Sequence, residues 1–535
     1  MPMAALSLVV SLLLAPTPTP QDAPASAPRE MKASERDYRW FDPIIDLRQM
    51  IDAMYVDQAD ASEMQQAALA AMLESLGDPY SIYVPPSAER SFDKSLRGHY
   101  VGIGAEVDMP DDRLRIVSPL EDSPALEAGI MPGDVVLEID GTSTESKSVD
   151  ECISLLMGEP GSVAKIRVRH ADGREEELAV ERRAISAKTV KGFRRVTTPS
   201  GPKWMHMLDP SNGIAYVQVT QFTDTTAADL RHVLDAAIAD GAKAFIIDLR
   251  FNGGGSLGSA IEIADFFLAD GRIVEVRGRG EQQRGGGASR TWEARDQPND
   301  LEIPIVVLVN ESSASASEVL AGAIAERLGG MPGAANTARV LGTRTFGKGS
   351  VQEVVTLPDG RGTVKLTTAR YYLPSGRNLT RSRQAESIDT PWGVDPDLGY
   401  YVSMDDMDNR EMFLARRRWE MPDGAPTDPA KWSDLAWLAA APGTDGVTGL
   451  GDRQLAAAVT ALRDRVSGRP WPRVGADPSA EMTTTETLHR AQSYRERLAR
   501  ELEATDKRIK ELEESLAKPA ATPSHSASDA GADGK

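Results

Sequence analysis

Histidine, cysteine and aromatic residues are scarce in this 535-residue chain: 6 His, 1 Cys and 5% Phe, Trp and Tyr. One cysteine, Cys152, excludes any intrachain disulfide, so cysteine usage says nothing about redox compartment. It falls in an apolar helical pattern with Val149, Ile153 and Leu156, which predicts a buried structural thiol. The histidines (His99, His170, His206, His232, His489, His525) are scattered, and none pairs with Cys, Asp or Glu at metal-ligand spacing. No metal site and no cofactor are expected. An excess of positive charge is also missing. With 60 Lys and Arg against 80 Asp and Glu the net charge is −20, which argues against nucleic acid as a partner. Nor is any apolar run long enough to make a good membrane span. Residues 4–15 have the length of a signal-peptide apolar segment, followed by Pro- and Ala-rich sequence with Ala23, Ala25 and Ala27 near a cleavage point. No Lys or Arg precedes that run. Export to the periplasm or cell envelope is expected, with residues 1–28 as a cleaved leader or a membrane tether.

What is present is a globular composition, 41% hydrophobic and 26% charged, enough for a sizeable core. Residues 34–97 read as helical, from Ile44, Leu47, Ile51 and Met54 and then Ala67, Leu69, Met72 and Leu73, with a stop at Gly77-Asp78-Pro79. Residues 98–186 read as a compact β-rich unit opened by Gly102-Ile103-Gly104-Ala105, with strands expected at 114–117, 135–139, 164–168 and 177–180. Residues 187–212 are a weakly patterned connection. From 213 to 380 strands and helices alternate: strands at 214–219, 244–249, 305–309, near 340, 353–356 and 363–369, helices at 226–240, 259–268 and after 315. That alternation predicts an α/β core. Residues 401–480 are expected to pack on the core as helical and irregular structure. In 481–518, Leu488, Leu502, Ile509 and Leu516 recur at heptad spacing with Leu498 and Leu512 between them. A short self-associating coiled coil and a single helix lying on the core both fit. Residues 519–535 have a disordered composition.

The chemistry concentrates between residues 304 and 352. The apolar run 305–309 ends at Asn310 and leads into Ser312-Ser313-Ala314-Ser315-Ala316-Ser317-Glu318, where a helix begins. Further on stands Thr345-Phe346-Gly347-Lys348-Gly349-Ser350-Val351-Gln352. A serine at a strand-to-helix turn with a lysine downstream is what serine–lysine acyl transfer requires, and no histidine is at hand for a triad. Ser315 with Glu318 also spells a capping box, and Ser313 or Ser317 are alternative cap residues. Lys348 acts as a base only when neutral, which needs a dry setting; otherwise it is a solvated loop lysine. The Gln352 amide is able to hold an amine without adding charge; otherwise it is a surface glutamine. Asp248-Leu249-Arg250-Phe251-Asn252-Gly253-Gly254-Gly255 closes a buried strand in a glycine turn suited to backbone–ligand contact. It lacks the Gly-Lys-Ser/Thr ending of a phosphate loop.

Together these blocks, with Tyr55-Val56-Asp57, Asp78-Pro79-Tyr80-Ser81, Ser123-Pro124-Ala125, Ala128-Gly129-Ile130-Met131-Pro132-Gly133-Asp134 and Gly393-Val394-Asp395-Pro396-Asp397, resemble the C-terminal processing peptidases of serine peptidase family S41. The likeness spans about residues 40–400. The resemblance implies an α/β fold with a crotonase/Clp-protease-like core (187–400), an inserted PDZ domain (98–186) and helical N- and C-terminal segments. It implies Ser315 as nucleophile, Lys348 as general base, Gln352 as the lysine's partner, and the N–H groups of Gly254 and Ala316 as oxyanion donors. Tyr100, Val101, Gly102, Ile103 and Gly104 would form the loop that captures a substrate C-terminus. The glycine turn departs from the family's usual Asn-Asn-Pro-Gly-Gly, residues 329–336 look like an inserted surface loop, and Glu326 receives no role. The implied partners are protein substrates with free C-termini. The alternative is a non-catalytic PDZ scaffold with a vestigial core.

Overall fold

The computed structural model describes residues 35–89, 92, 100–109, 113–170, 172–185, 188–199, 201–278, 289–298, 300–330, 335–381, 392–420, 429–441, 449–478 and scattered helical positions between 488 and 510. The expected leader, the tail and most of the heptad segment lie outside them. The chain forms two compact units, 1–93 with 352–367 and 94–351 with 368–535.

In the first unit, helices Glu35–Trp40, Asp42–Met54 and Ala61–Glu74 follow the apolar spacing. Asp60 caps the third by accepting from the N–H groups of Ser62 and Glu63, at 2.7 and 2.9 Å. The all-helical expectation then fails. Ile82–Val84 is a strand, antiparallel to residues 363–365. Its β-branched residues suit that pairing, and Ser81 Oγ fixes it by accepting from the Thr367 N–H at 3.0 Å.

The second unit is built on four parallel strands in the order Ile214–Val219, Ala244–Asp248, Ile305–Val309, Ala338–Gly342. They read as continuous apolar runs because both faces are covered. Ala215, Val217, Phe245, Ile247, Val307 and Val309 face one cluster, which takes in helices Thr226–Ala239, Leu257–Asp265 and Ala316–Leu328. Their alternates Ile214, Tyr216, Ile246, Val306 and Leu308 face a second cluster. Residues 401–480 supply that second cover: helices Asp406–Glu420, Pro429–Trp432, Leu435–Ala439 and Arg453–Val466, with Trp419 and Trp437 stacked at 5.0 Å.

Two further segments depart from expectation. The weak connection at 187–212 contains an antiparallel ribbon, Arg194–Thr198 with Gly201–Met205. Its alternation was hidden by the charged residues Arg194, Arg195 and Lys203. Strands Arg272–Gly278 and Arg290–Glu293, unread in the sequence, pair with each other, and the former pairs with residues 369–372.

The β-rich region appears as Ala105–Asp108, Arg115–Pro119, Val135–Ile139, Val163–Arg169 and Glu175–Glu181 in one sheet, with helix Val149–Leu156. Strand Tyr100–Gly102 pairs with Arg183–Ile185. Cys152 is buried in its core, and burial pushes the thiol up from its ordinary value.

Candidate active site

Strand Ile305–Val309 delivers the chain to a turn that opens helix Ala316–Leu328 at Ser315. Ser315 has φ +57 and ψ −114, a region that costs a non-glycine residue about 1–3 kcal/mol and has to be held by its surroundings. Three contacts hold it. The Ala314 N–H donates to Asn252 O at 3.0 Å. The Ser317 hydroxyl donates to the same carbonyl at 2.9 Å. The Ser313 hydroxyl donates to Leu249 O at 2.8 Å. Ser313 and Ser317 therefore tie the elbow to the glycine turn, and neither serves as the helix cap.

The fourth support is Glu318, wholly buried. Its Oε2 accepts from the backbone N–H of Ser315 at 2.9 Å and of Lys348 at 2.8 Å. Its Oε1 accepts from the Gly347 N–H and the Thr345 hydroxyl, both at 2.6 Å. One carboxylate thus joins the serine elbow to the lysine loop. Burial pushes this carboxyl above the ordinary glutamate value, and the four hydrogen bonds only partly offset that. The sequence showed Glu318 only as a capping residue, because its other partners stand about thirty residues downstream.

The Ser315 hydroxyl is hydrogen-bonded to the Tyr371 phenol, which burial raises above its ordinary value. Tyr371 is placed by its own N–H, which donates to Gly349 O at 2.8 Å, directly after Lys348. Nothing in the sequence singled out this tyrosine.

Gly254 has φ +101 and lies against the elbow. A Cβ there would fall 2.8 Å from Ser315 Cβ and 3.0 Å from Ala316 N. Glycine therefore keeps the space beside Ser315 Cβ and the Ala316 N–H free of side-chain atoms. The Gly254 N–H, expected as an oxyanion donor, instead donates to Asn252 Oδ1 at 2.8 Å. Its contribution in this state is room, not a hydrogen bond. The turn is strained again at Phe251, φ +61, whose N–H donates to Asn310 Oδ1 at 3.0 Å.

Ser315, Ala316, Gly254 and the Lys348 backbone are thus brought together. Gln352 belongs to the other unit, where its amide donates to Thr367 Oγ1 at 3.1 Å. The expected C-terminus-binding loop runs from strand Tyr100–Gly102 into strand Ala105–Asp108, which lies at the end of its sheet. Gly104 has φ +75, and a Cβ there would meet Ser123 Cβ at 2.5 Å. Among the described residues no group of three His, Cys, Asp or Glu is arranged to hold a metal.

Behind the glycine turn, Arg250 is buried between two carboxylates. It donates to Asp248 at 2.7 and 3.0 Å and to Asp452 at 2.7 and 2.8 Å. Burial opposes the charge on Asp248, but Arg250 outweighs it and holds the carboxyl below the ordinary range. The helical segment after residue 400 is thereby locked to the strand that ends in the turn.

A sequence profile of peptidase family S41 matches residues 213–399, and a PDZ-domain profile matches residues 115–170. The carboxy-terminal processing protease CtpA of Bacillus subtilis (strain 168) is 32% identical over 337 residues, which cover 63% of this chain and 66% of the relative. The carboxy-terminal-processing protease of Bartonella bacilliformis is 32% identical over 404 residues, covering 72% of this chain and 84% of the relative. The chain therefore spans just under two thirds of the Bacillus protein's length and more of the Bartonella one. Among solved structures, a photosystem II D1 C-terminal processing protease has 25% identity and a TM-score of 0.39, covering 73% of this chain and 90% of that one.

Proposed function

This chain belongs to peptidase family S41, and from that membership we propose that it is a serine endopeptidase of the carboxyl-terminal processing type. Its substrates are protein chains with free C-termini, captured by the loop 100–104 and by strand Ala105–Asp108, which ends its sheet among the described residues. The observation that carries the proposal is the Glu318 carboxylate, which holds the backbones of Ser315 and Lys348 on one oxygen.

In the reaction we propose, neutral Lys348 takes the hydroxyl proton as Ser315 Oγ bonds to the scissile carbonyl carbon. The carbonyl oxygen gains the charge and meets the Ala316 N–H at the positive end of helix Ala316–Leu328. The C–N bond then breaks as the lysine ammonium returns the proton to the leaving amine. Water, deprotonated by the same amine, frees the acyl-enzyme. Gln352 is assigned to steady Lys348. The four parallel strands with their strand-to-helix elbow support reading the core as the crotonase/Clp type. The location we propose is the cell envelope, on the apolar run 4–15, with a tether there and self-association through 484–516 as parts of the same proposal.

The test is hydrolysis of a loosely folded protein with an apolar C-terminus. Ser315→Ala and Lys348→Ala are expected to abolish cleavage while the thermal unfolding midpoint stays near that of the parent. Parental turnover in either variant overturns the assignment.

A further inference from the structure

Strand Thr363–Tyr372 ends on two adjacent tyrosines, which the pleat turns to opposite faces. Tyr372 is half-buried, with the Arg277 guanidinium 4.2 Å from its ring centre. Tyr371 is only 6% exposed and belongs to the core cluster that takes in helix Ala316–Leu328.

Two anchors fix Tyr371. The first is the lysine loop, because the Tyr371 N–H donates to Gly349 O at 2.8 Å. The second is the serine's own helix. Leu373, two residues on, lies against that helix at Gly322, where a Cβ would fall 2.5 Å from Leu373 Cδ2. One turn further along, Glu326 accepts from the Ser375 N–H at 2.7 Å and from the Ser375 hydroxyl at 3.0 Å. The elements that carry Ser315 and Lys348 are therefore the ones that hold Tyr371, and Glu326 finds a use in that support. The Tyr371 phenol meets the Ser315 hydroxyl. Of these two hydroxyls the phenol is the stronger acid and the better donor. Burial raises it above its ordinary value, so it keeps its proton at neutral pH. Ser315 Oγ has one proton and two lone pairs. With the phenol on one lone pair, the other is left for the scissile carbonyl carbon and the proton for Lys348.

We propose that Tyr371 is a further catalytic residue, whose phenol donates to Ser315 Oγ and stabilises the negative charge on that oxygen as it attacks and again as it leaves. The inference rests on the peptidase reading and deepens it. In acylation the Oγ–H proton passes to Lys348 Nζ as the Oγ–C bond forms. In deacylation the C–Oγ bond breaks, its electron pair stays on Oγ, and the lysine ammonium returns a proton there. Tyr371 keeps its own proton throughout. A hydrogen bond to a charged oxygen is about twice as strong as one to a neutral oxygen. The phenol thus contributes more to the transition states than to the ground state, which is the condition for raising kcat.

The test uses the full chain with Ser315 intact, and a loosely folded protein with an apolar C-terminus as substrate. Tyr371→Phe keeps the ring and removes only the hydroxyl. Tyr372→Phe makes the same change on the other face and is the control. The expected result is a kcat about ten- to a hundredfold lower in Tyr371→Phe, the worth of one hydrogen bond to a charged group. KM stays within about twofold, because no substrate contact is removed. Tyr372→Phe keeps the parental kcat. Parental kcat in Tyr371→Phe overturns the inference. So does an equal loss in Tyr372→Phe, or a loss carried by KM alone. A second measurement needs no turnover: a fluorophosphonate probe bonds to Ser315 Oγ with loss of fluoride, and the mass of the intact chain follows the rate. Slower labelling of Tyr371→Phe than of the parent is expected, and equal rates, or none in either chain, overturn the inference. A parent that is labelled but hydrolyses nothing removes the peptidase reading, and the labelling rates still decide this one.

Discussion

Replacing Glu318 is the sharpest probe of the site, because one side chain there answers four donors. In Glu318→Gln the amide keeps one oxygen. Placed at Oε2, it still accepts from the N–H groups of Ser315 and Lys348. The NH2 then takes the Oε1 position, where Thr345 Oγ1 is able to accept from it but the Gly347 N–H loses its partner. One orphaned buried donor costs about 1–3 kcal/mol. The unfolding midpoint should fall by about 1 °C for each kcal/mol lost, because a unit of this size has a large unfolding entropy. The lysine loop turns at Gly347, φ +86, directly before Lys348, so the same change is expected to displace Lys348 relative to Ser315. A misplacement near 1 Å costs about a hundredfold in rate, so kcat is expected to fall by about ten- to a hundredfold. KM should stay within about twofold, since no substrate contact is removed. In Glu318→Ala all four donors are orphaned and the strained serine loses a support. The loss exceeds about 4 kcal/mol, a large part of an ordinary stability margin. Steady-state kinetics and calorimetry on the full chain check both. Parental kcat in Glu318→Gln refutes the clamp, and a parallel rise of KM reduces it to general loosening.

The same carboxyl makes a pH prediction of definite sign. Its native value is raised by burial above that of the unfolded chain. Between those two values the native state holds a proton that the unfolded state has released. Stability from this group is therefore complete below the unfolded value and is lost as pH rises through the native one. The ionised form is the better acceptor for the loop, so activity should climb over the same window in which this contribution to stability declines. Glu318→Gln should flatten that part of the stability profile. An unchanged profile sinks the assignment.

Two further substitutions test the frame around the clamp. Gly254→Ala forces a Cβ to 2.7 Å from Ala314 O and 2.8 Å from Ser315 Cβ at φ +101, so kcat should drop by at least about tenfold, with a stability loss of about 1–3 kcal/mol; an unaffected kcat would remove the open space from the mechanism. Arg250→Leu leaves Asp248 and Asp452 buried and unpaired and should cost about 3–5 kcal/mol in urea unfolding. In the parent, Asp248 lies below its unfolded value, so its contribution is present above that value and fades as pH falls through the native one, opposite in sign to Glu318.

How far the site was legible depends on how far apart its partners stand in sequence. The parallel strands announced themselves, since Ile214–Val219, Ala244–Asp248 and Ile305–Val309 are apolar runs broken only by Gln218 and Asp248. What covers their second face did not. Trp419, Trp432 and Trp437 are spread through a polar, Pro-rich segment whose helices make sense only against that sheet. Arg250 was visible as a residue and opaque as a structure, because Asp452 lies 202 positions away. Tyr371 carried no motif at all, being one of two adjacent tyrosines that end strand Thr363–Tyr372.

Ser315 is the instructive case. From local spacing it was either a helix cap or a nucleophile, and the geometry makes these one arrangement. The helix does begin at Ser315, but the capping is done by the backbone and by Glu318. The Glu318 N–H goes to the Ser315 carbonyl at 2.9 Å, and its carboxylate returns to the Ser315 N–H. The serine hydroxyl is left to Tyr371. A residue that caps with its own side chain commits one of its hydroxyl's two lone pairs to the helix. A residue whose cap comes from three positions downstream keeps both, and here its backbone is bent to positive φ, which is where the strain is found. The same carboxylate then has two acceptor positions left for a second loop, and the loop it takes is the one that ends in Lys348. The local cap and the long-range site are therefore one device, and removing the carboxylate should disable both together.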